Sequence, residues 1–151
     1  VLVLLISAPL QLAAAADGPD PVSLLDLLGL ALFAAGFVIE VVADAQLASY
    51  RRAKARGGAG APGPVLDTGL WRYTRHPNYS GNAAQWWADY LFAAAAGGWR
   101  TTFSSLLMTA MLLRVSGAAL LEKTLSSTRP GYREYVQHTS AFIPWVPRKQ
   151  R

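Results

Sequence analysis

The chain has 151 residues, of which 52% are hydrophobic and 15% are charged, and its mean hydropathy is +0.23. Charged residues normally make up about 25% of a soluble domain, so this composition favours a membrane protein. The net charge of +5 alone would suit nucleic acid, but the basic residues flank apolar runs, so we expect no nucleic-acid partner. The lack of cysteine excludes disulfides and thiolate sites, and without paired ligand spacings we expect no metal.

The first apolar run covers residues 1–16, with no starting Met and no charged segment ahead of it. We interpret it as the end of a helix that begins before Val1. The alternative is a signal peptide, because the four alanines at positions 13–16 resemble a cleavage site.

Three more apolar runs approach the roughly 20 residues that a helix needs to cross a bilayer. They cover residues 22–43, 81–97 and 101–121, and the second is short and contains Asp89. With residues 1–16 they predict an all-α fold, a polytopic transmembrane helical bundle with about three complete spans plus a truncated N-terminal one. We expect residues 1–151 to form a single membrane domain.

The Lys and Arg residues set the expected orientation of the bundle. Six lie between residues 44 and 80 and six more follow residue 121, whereas the two opposite connections hold only Arg100. Because cytoplasmic loops are enriched in Lys and Arg, we expect loop 44–80 and the C-terminus in the cytoplasm. Residues 56–64 are rich in Gly, Ala and Pro, which predicts a flexible cytoplasmic linker.

The C-terminal part turns polar after residue 121. Residues 122–138 have the mixed composition of an interfacial helix, interrupted by Pro130 and Gly131. Residues 140–147, SAFIPWVP, predict an extended aromatic segment that packs against the helical bundle or the headgroup layer.

Ionisable residues also lie in or beside the predicted spans, where they are costly. Glu40 and Asp44 are four residues apart and share one helical face, which Arg51 continues if the helix extends into the cytoplasm. This spacing predicts a charged stripe at the cytoplasmic end of the helical bundle. Arg114 either belongs to a site or reaches water by snorkelling.

Residues 69–81, GLWRYTRHPNYSG, hold the highest density of chemically useful side chains. Arginines bind phosphate, tyrosines stack or donate a hydroxyl, and an asparagine offers a donor and an acceptor. Pro77 is expected to push His76 out of the helical region, and Gly81 to permit a close backbone approach where the next helix starts. The segment therefore predicts a ligand site at a helix N-terminus, or alternatively a positive-inside loop with interfacial aromatics.

Four blocks, in order and with compatible spacing, resemble one known family. They are VADAQLASYR, LDTGLWRYTRHPNYSGN, LLRVSGAALLEK and RPGYREYVQHTSAFIPW, between residues 40 and 147. The combination resembles the C-terminal half of the steroid 5-alpha-reductase-like membrane proteins, most closely their bacterial branch, domain of unknown function 1295. The resemblance implies the C-terminal part of a longer reductase-like protein in a bacterial inner membrane.

The resemblance further implies an oxidoreductase that transfers a hydride from NADPH to a conjugated carbon–carbon double bond of a lipid or steroid-like molecule. Asp44 and Arg51 match positions where the family contacts the dinucleotide, and Tyr73 and Asn78 fall in its central cofactor motif. No catalytic residue is assigned. The expected cofactor site comprises Asp44, Arg51, Tyr73, Arg75, His76, Asn78, Asn82, Arg114, Glu122 and Tyr135.

The chain departs from the family at position 82, where a Glu usually follows the motif's last Gly and Asn82 stands here. We expect Asn82→Glu to preserve or raise NADPH affinity, because it restores an acceptor-only group. The family's substrate-polarising acid also lies on earlier helices that this sequence lacks.

Two other functions stay open. An isoprenylcysteine carboxyl methyltransferase-like enzyme that uses S-adenosylmethionine shares the RHP-x-Y-x-G element and a Glu in its final block. Glu122 followed by Lys123, and the SAFIPW ending, favour the reductase. The third interpretation is an inactive membrane scaffold, to which Asn82 adds weight.

Overall fold

The computed structural model describes residues 2–15, 21–58, 61–114 and 118–148, and within these ranges the regular secondary structure is helical. β pairing there is limited to one isolated bridge between Thr74 and Ser140. The all-α prediction is therefore confirmed. The helices are α1 (Leu2–Ile6), α2 (Ala8–Ala15), α3 (Leu24–Arg56), α4 (Pro77–Ala95), α5 (Thr102–Arg114), α6 (Ala118–Thr128) and α7 (Tyr132–His138), with short 3-10 turns at Gly69–Arg72 and Trp99–Thr101.

Helix α3 begins at a capping box and is much longer than the predicted span of residues 22–43. The Ser23 hydroxyl accepts from the Asp26 amide at 3.3 Å, and the Asp26 carboxylate accepts from the Ser23 amide at 2.8 Å. The helix continues 13 residues past Ala43 and ends at Gly57, where φ is +64°. Its 33 residues span about 50 Å, well over the roughly 30 Å of a bilayer's hydrocarbon core.

Among the described residues, α3 is the one helix that is long and apolar enough to cross a membrane. Helix α4 has 19 residues and begins at Pro77, four residues before the predicted start of the second span. Helix α5 has 13 residues, and residues 115–117 of the predicted third span lie outside the described part. The number of membrane crossings therefore stays a prediction.

Small residues bring α3 and α4 into antiparallel contact. A Cβ on Gly36 would lie 2.6 Å from the Gly81 carbonyl oxygen, and one on Gly81 would lie 2.5 Å from the Gly36 carbonyl oxygen. The close approach predicted for Gly81 is therefore confirmed, although the helix starts earlier than expected. Buried residues of α3 recur every seven positions, a spacing typical of closely packed helices, at Gly29, Gly36, Ala43 and Tyr50.

Helix α4 also packs against α5 through polar contacts. The Trp87 indole N–H donates to the Thr109 hydroxyl at 3.2 Å, and the Ser105 hydroxyl donates to the Trp86 carbonyl at 2.7 Å. Since α4 contacts α2, α3 and α5, it is the central helix of the described part. Its N-terminus is thus fixed in position by several neighbours.

The C-terminal part returns to the start of α4. Helices α6 and α7 are separated by a break at Gly131, where φ is +79°, so the predicted interruption is confirmed. Beyond α7 the chain is irregular and lies beside the central motif. The Arg75 amide donates to the Ser140 carbonyl at 2.9 Å, and the Trp145 amide donates to the Tyr73 carbonyl at 2.9 Å. The tail therefore packs against the bundle, one of the two expected positions.

Candidate functional site

A cavity of about 380 Å³ lies where the C-terminal part of α3 meets the N-terminus of α4. Its volume falls within the range of small-molecule sites, about 300 to 1,000 Å³. The segment 64–66 and the helices α6 and α7 complete the walls. The lining residues are Asp44, Leu47, Tyr50, Arg51, Pro64, Val65, Leu66, Trp71, Arg75, His76, Asn78, Tyr79, Leu125, Arg129, Tyr132 and Tyr135.

The backbone at the start of α4 directs the motif side chains toward the cavity. His76 has φ −136° and ψ 61°, outside the helical region, and Pro77 opens the helix, as the sequence predicted. The His76 imidazole stacks on the Tyr79 ring, with centroids 5.6 Å apart and planes at 11°. His76 is 4% exposed, so the imidazole is well shielded from bulk solvent.

Arg75, His76 and Glu122 form a compact group behind the cavity. Glu122 Oε1 lies 3.0 Å from His76 Nε2 and 3.2 Å from Arg75 Nε. The Arg75 Nε contact is an ion pair without a hydrogen bond, because the atom is buried with no partner in hydrogen-bond geometry. The Arg75 Nη1 donates to the Val136 carbonyl at 3.5 Å. Glu122 thus balances a guanidinium that is 8% exposed.

Burial sets the protonation of the groups around this ion pair. It lowers the pKa of His76, and the neighbouring Glu122 opposes that shift only in part, so the imidazole is neutral at pH 7. Burial also raises the pKa of Tyr132 and of Tyr135, so both phenols keep their protons. The Tyr135 hydroxyl donates to the Trp71 carbonyl. The group therefore centres on the ion pair between Arg75 and Glu122.

An acid and an amide meet at the cavity mouth. Asn78 Nδ2 donates to Asp44 Oδ1 at 3.0 Å, and Asn78 Oδ1 accepts from the Tyr79 amide at 3.0 Å. Asp44 is exposed, so its second oxygen remains accessible to water or to a ligand. Such a pair suits the hydroxyl groups of a sugar.

Positive charge also lines the cavity. Arg51 lines the cavity and forms no ion pair within the described residues, and Arg129 donates to the Pro64 carbonyl at 3.3 Å. Tyr50 donates to the Gly63 carbonyl at 2.9 Å. The end of the predicted 56–64 linker is thus held against α3 and α6, while its residues 59–60 lie outside the described part. Together with Arg75, these arginines make a site for an anion.

Six of the ten predicted site residues line one cavity: Asp44, Arg51, Arg75, His76, Asn78 and Tyr135. Glu122 contacts two of them from behind. Tyr73 is 44% exposed and uses its backbone carbonyl to hold the tail. Asn82 lies one helical turn deeper, beside Glu40, and Arg114 is exposed at the end of α5. The structure therefore does not bring Tyr73, Asn82 or Arg114 into the cavity wall.

The ten predicted residues leave out five polar or aromatic lining residues, namely Tyr50, Trp71, Tyr79, Arg129 and Tyr132. Each lies within the four quoted sequence blocks, next to a residue that was selected or a few positions away. Tyr50 also continues the seven-residue repeat of α3, a signal that was present in the sequence.

Comparison with known proteins gives one family and one relative. The family described as "Protein of unknown function (DUF1295)" matches residues 1–139, a range that starts well before the resemblance noted from residue 40. An uncharacterized protein of Schizosaccharomyces pombe is 27% identical over an alignment of 154 positions. The alignment covers 93% of this chain and 45% of that protein. The chain thus spans less than half the length of this relative. No solved structure gives a significant match.

Proposed function

The chain belongs to the DUF1295 family, the family of steroid 5-alpha-reductase-like proteins, and from this premise we propose that its cavity binds NADPH. The proposed activity is the transfer of a hydride to a conjugated carbon–carbon double bond of a lipid or steroid-like molecule. The S. pombe relative extends well beyond the matched region.

The observation that supports this function best is the combination of three arginines with aromatic walls around one cavity. Arg51, Arg75 and Arg129 suit the phosphates of a dinucleotide, because guanidinium groups bind phosphate with two parallel donors. Trp71 and Tyr79 offer faces on which a flat ring can stack. These three arginines lie around one cavity in a chain of which only 15% of the residues are charged.

The other polar groups fit the sugar part of the same ligand. Asp44 and Asn78, 3.0 Å apart, would accept and donate hydrogen bonds to ribose hydroxyls. NADPH, when bound, supplies the hydride, and a proton from solvent completes the reduction at the neighbouring carbon. The contribution of this chain is to bind, orient and partly dehydrate the reacting end.

Helix α3 supports a membrane position for the proposed site. With this helix across the membrane of a bacterial cell, its basic C-terminal end and the cavity would face the cytoplasm, where NADPH is found. An apolar substrate would then enter from the bilayer. In this arrangement loop 44–80 and the C-terminus lie on the same side.

We predict that Ala55→Cys, at the exposed end of α3, will be labelled by an impermeant thiol reagent only after the inner membrane is permeabilised. The chain has no cysteine of its own, so the signal comes from one site. Labelling of Ala55→Cys in intact spheroplasts would contradict the proposed orientation and remove the cofactor's access to the cavity.

We predict that Arg51→Ala will weaken NADPH binding by about 1.5 to 3 kcal/mol, the usual contribution of a hydrogen bond to a charged group. Isothermal titration on purified protein measures the effect, and NADPH should bind more tightly than NADH. Arg52→Ala is the matched control, because Arg52 is exposed and is not part of the cavity lining. Its affinity should equal that of the parent protein.

The same titration separates the proposed reductase from the alternatives. Saturable binding of S-adenosylmethionine without binding of NADPH would favour a methyltransferase. Binding of neither molecule would favour an inactive scaffold. Equal losses in Arg51→Ala and Arg52→Ala would show that the effect comes from general surface charge rather than from the cavity.

A further inference from the structure

The inner side of the C-terminal tail, residues 140–148, is bonded to the central motif. The tail backbone donates to the Tyr73 carbonyl and accepts from the Arg75 amide, each at 2.9 Å. The Phe142 carbonyl also accepts a hydrogen bond from the Thr74 hydroxyl at 2.9 Å, and Thr74 is buried. The tail therefore has a fixed position on the turn that precedes α4.

The outer side of the tail is apolar and uncovered. Ile143, Trp145 and Val146 are each 70 to 73% exposed. Tyr73, to whose carbonyl the Trp145 amide donates, is exposed as well. We call these four residues the tail patch. Side chains of this size gain about 1.5 to 3 kcal/mol each when they leave water, so a group of them indicates an interaction surface.

The tail patch lies at one end of a helix of bilayer length. Helix α4 has 19 residues and spans about 28 Å, close to the roughly 30 Å of a hydrocarbon core. Tyr73 lies four residues before α4 begins, and near that end Asn78 donates to Asp44 of α3 at 3.0 Å. Near the other end, a Cβ on Gly29 of α3 would lie 2.8 Å from the Phe92 ring. The apolar helix α3 therefore accompanies α4 over this length.

A second exposed tryptophan lies at the opposite end of α4. Trp99 follows the last residue of the helix by four positions and is 62% exposed. The Arg100 guanidinium lies 5.3 Å from the centre of its ring. Trp and Tyr are enriched at both membrane–water interfaces, where the ring contacts apolar chains and its N–H or O–H reaches water. Two such sites, one α4 length apart, fit the two headgroup layers of one bilayer.

We propose that the tail patch is an interfacial anchor that inserts into the headgroup layer of a phospholipid membrane. Arg72 and Arg148, which flank the patch in sequence, are exposed and suit anionic headgroups. Because the inner side of the tail is bonded to the motif, the anchor holds the start of α4, and with it the cavity, at a fixed depth. The inference goes beyond the cofactor site and does not require NADPH to bind there. It shares with the proposed function only the membrane position of α3.

A dye on single cysteines measures the depth of the patch, since the chain has no cysteine of its own. The full chain is reconstituted in vesicles of phosphatidylcholine and phosphatidylglycerol that carry nitroxide quenchers either near the headgroup or near the end of the acyl chain. We expect the shallow nitroxide to quench nitrobenzoxadiazole on Val146→Cys at least about twofold more than the deep one, as for an interfacial residue. Ile143→Cys, also in the patch, should give the same result.

Two positions on α3 are the controls, and both are exposed in the structure. Ala34→Cys lies in the apolar middle of the helix, so the deep nitroxide should quench its dye more than the shallow one. Ala55→Cys lies near the basic end, and its dye should be quenched by neither.

A variant without the apolar side chains tests whether they drive the insertion. Ile143→Ser combined with Trp145→Ser keeps the backbone bonds of the tail, so its melting temperature in detergent should match that of the parent. In vesicles, shallow quenching of the Val146→Cys dye should fall at least about twofold in this variant, because the apolar contribution to binding is lost.

Absence of quenching at both tail positions, with Ala34→Cys quenched, would overturn the anchor and leave the proposed cofactor site standing. Disulfide cross-linking of two Val146→Cys chains in the same vesicles would then identify a second copy as the occupant of the patch. Absence of quenching at Ala34→Cys would contradict the membrane position of α3 and, with it, the anchor.

Discussion

Replacing Gly81 by valine should separate α3 from α4 and abolish the cavity. A Cβ at this position would lie 2.5 Å from the Gly36 carbonyl oxygen and 2.7 Å from the Glu40 amide nitrogen. Both neighbours are backbone atoms, so no side chain can rotate away, and we expect a loss of about 3 kcal/mol or more in stability. Thermal unfolding in detergent, followed by loss of the monodisperse elution peak, measures the effect.

Gly63→Ala is the control for Gly81→Val, because nothing lies within 4 Å of a Cβ at position 63. Its melting temperature should match that of the parent protein. The smaller change Gly81→Ala should have an intermediate effect, since it introduces the same clash without further branching. A Gly81→Val protein with the parent's melting temperature would refute the close helix contact.

Replacing Glu122 by leucine should destabilise the C-terminal part of the bundle by about 3 to 5 kcal/mol, the usual cost of leaving a buried charge without its partner. The side chains of Arg75 and Glu122 are 9% and 22% exposed, so water replaces the lost carboxylate poorly. Thermal unfolding measures the loss. Asp67→Asn, a change of an exposed carboxylate, should stay within about 0.5 kcal/mol of the parent.

A double variant identifies the source of the effect of Glu122→Leu. If the unpaired guanidinium causes the loss, removing it as well in Arg75→Met with Glu122→Leu should restore much of the stability. If the double variant is less stable than Glu122→Leu alone, the carboxylate acts mainly through His76, which it contacts at 3.0 Å.

Local signals in the sequence were sufficient for the features that depend on neighbouring residues. Pro77 fixed the conformation of His76, and Gly131 ended one helix before another began, since each acts through its own backbone. Asp44, Arg51 and Tyr135 were expected beside the motif because of the family resemblance, since no local pattern shows which helices meet. Six predicted residues share one cavity.

Features that depend on helix register could not be read from local patterns. The Glu40–Asn82 contact joins residues 42 positions apart and exists only because Gly36 and Gly81 bring the two helix axes together. Asn82 could therefore be compared only with a family pattern, whereas the carboxyl group that faces it from α3 could not be predicted. The closing of the cavity by segment 64–66 and by α6 likewise required knowledge of tertiary contacts.

The length of α3 bears on where the two molecules of the proposed reaction, a water-soluble nucleotide and a lipid, would meet. With the helix upright, Leu24 and Asp44 are about 30 Å apart, which equals the hydrocarbon thickness of a typical bilayer. The Asp44–Asn78 pair would then lie at the boundary of the hydrocarbon core, with Glu40 just inside it and Arg51 about 10 Å outside it. A water-soluble nucleotide could arrive from the water and a lipid from the bilayer. The two would touch at that boundary, and neither molecule would have to enter the other's phase.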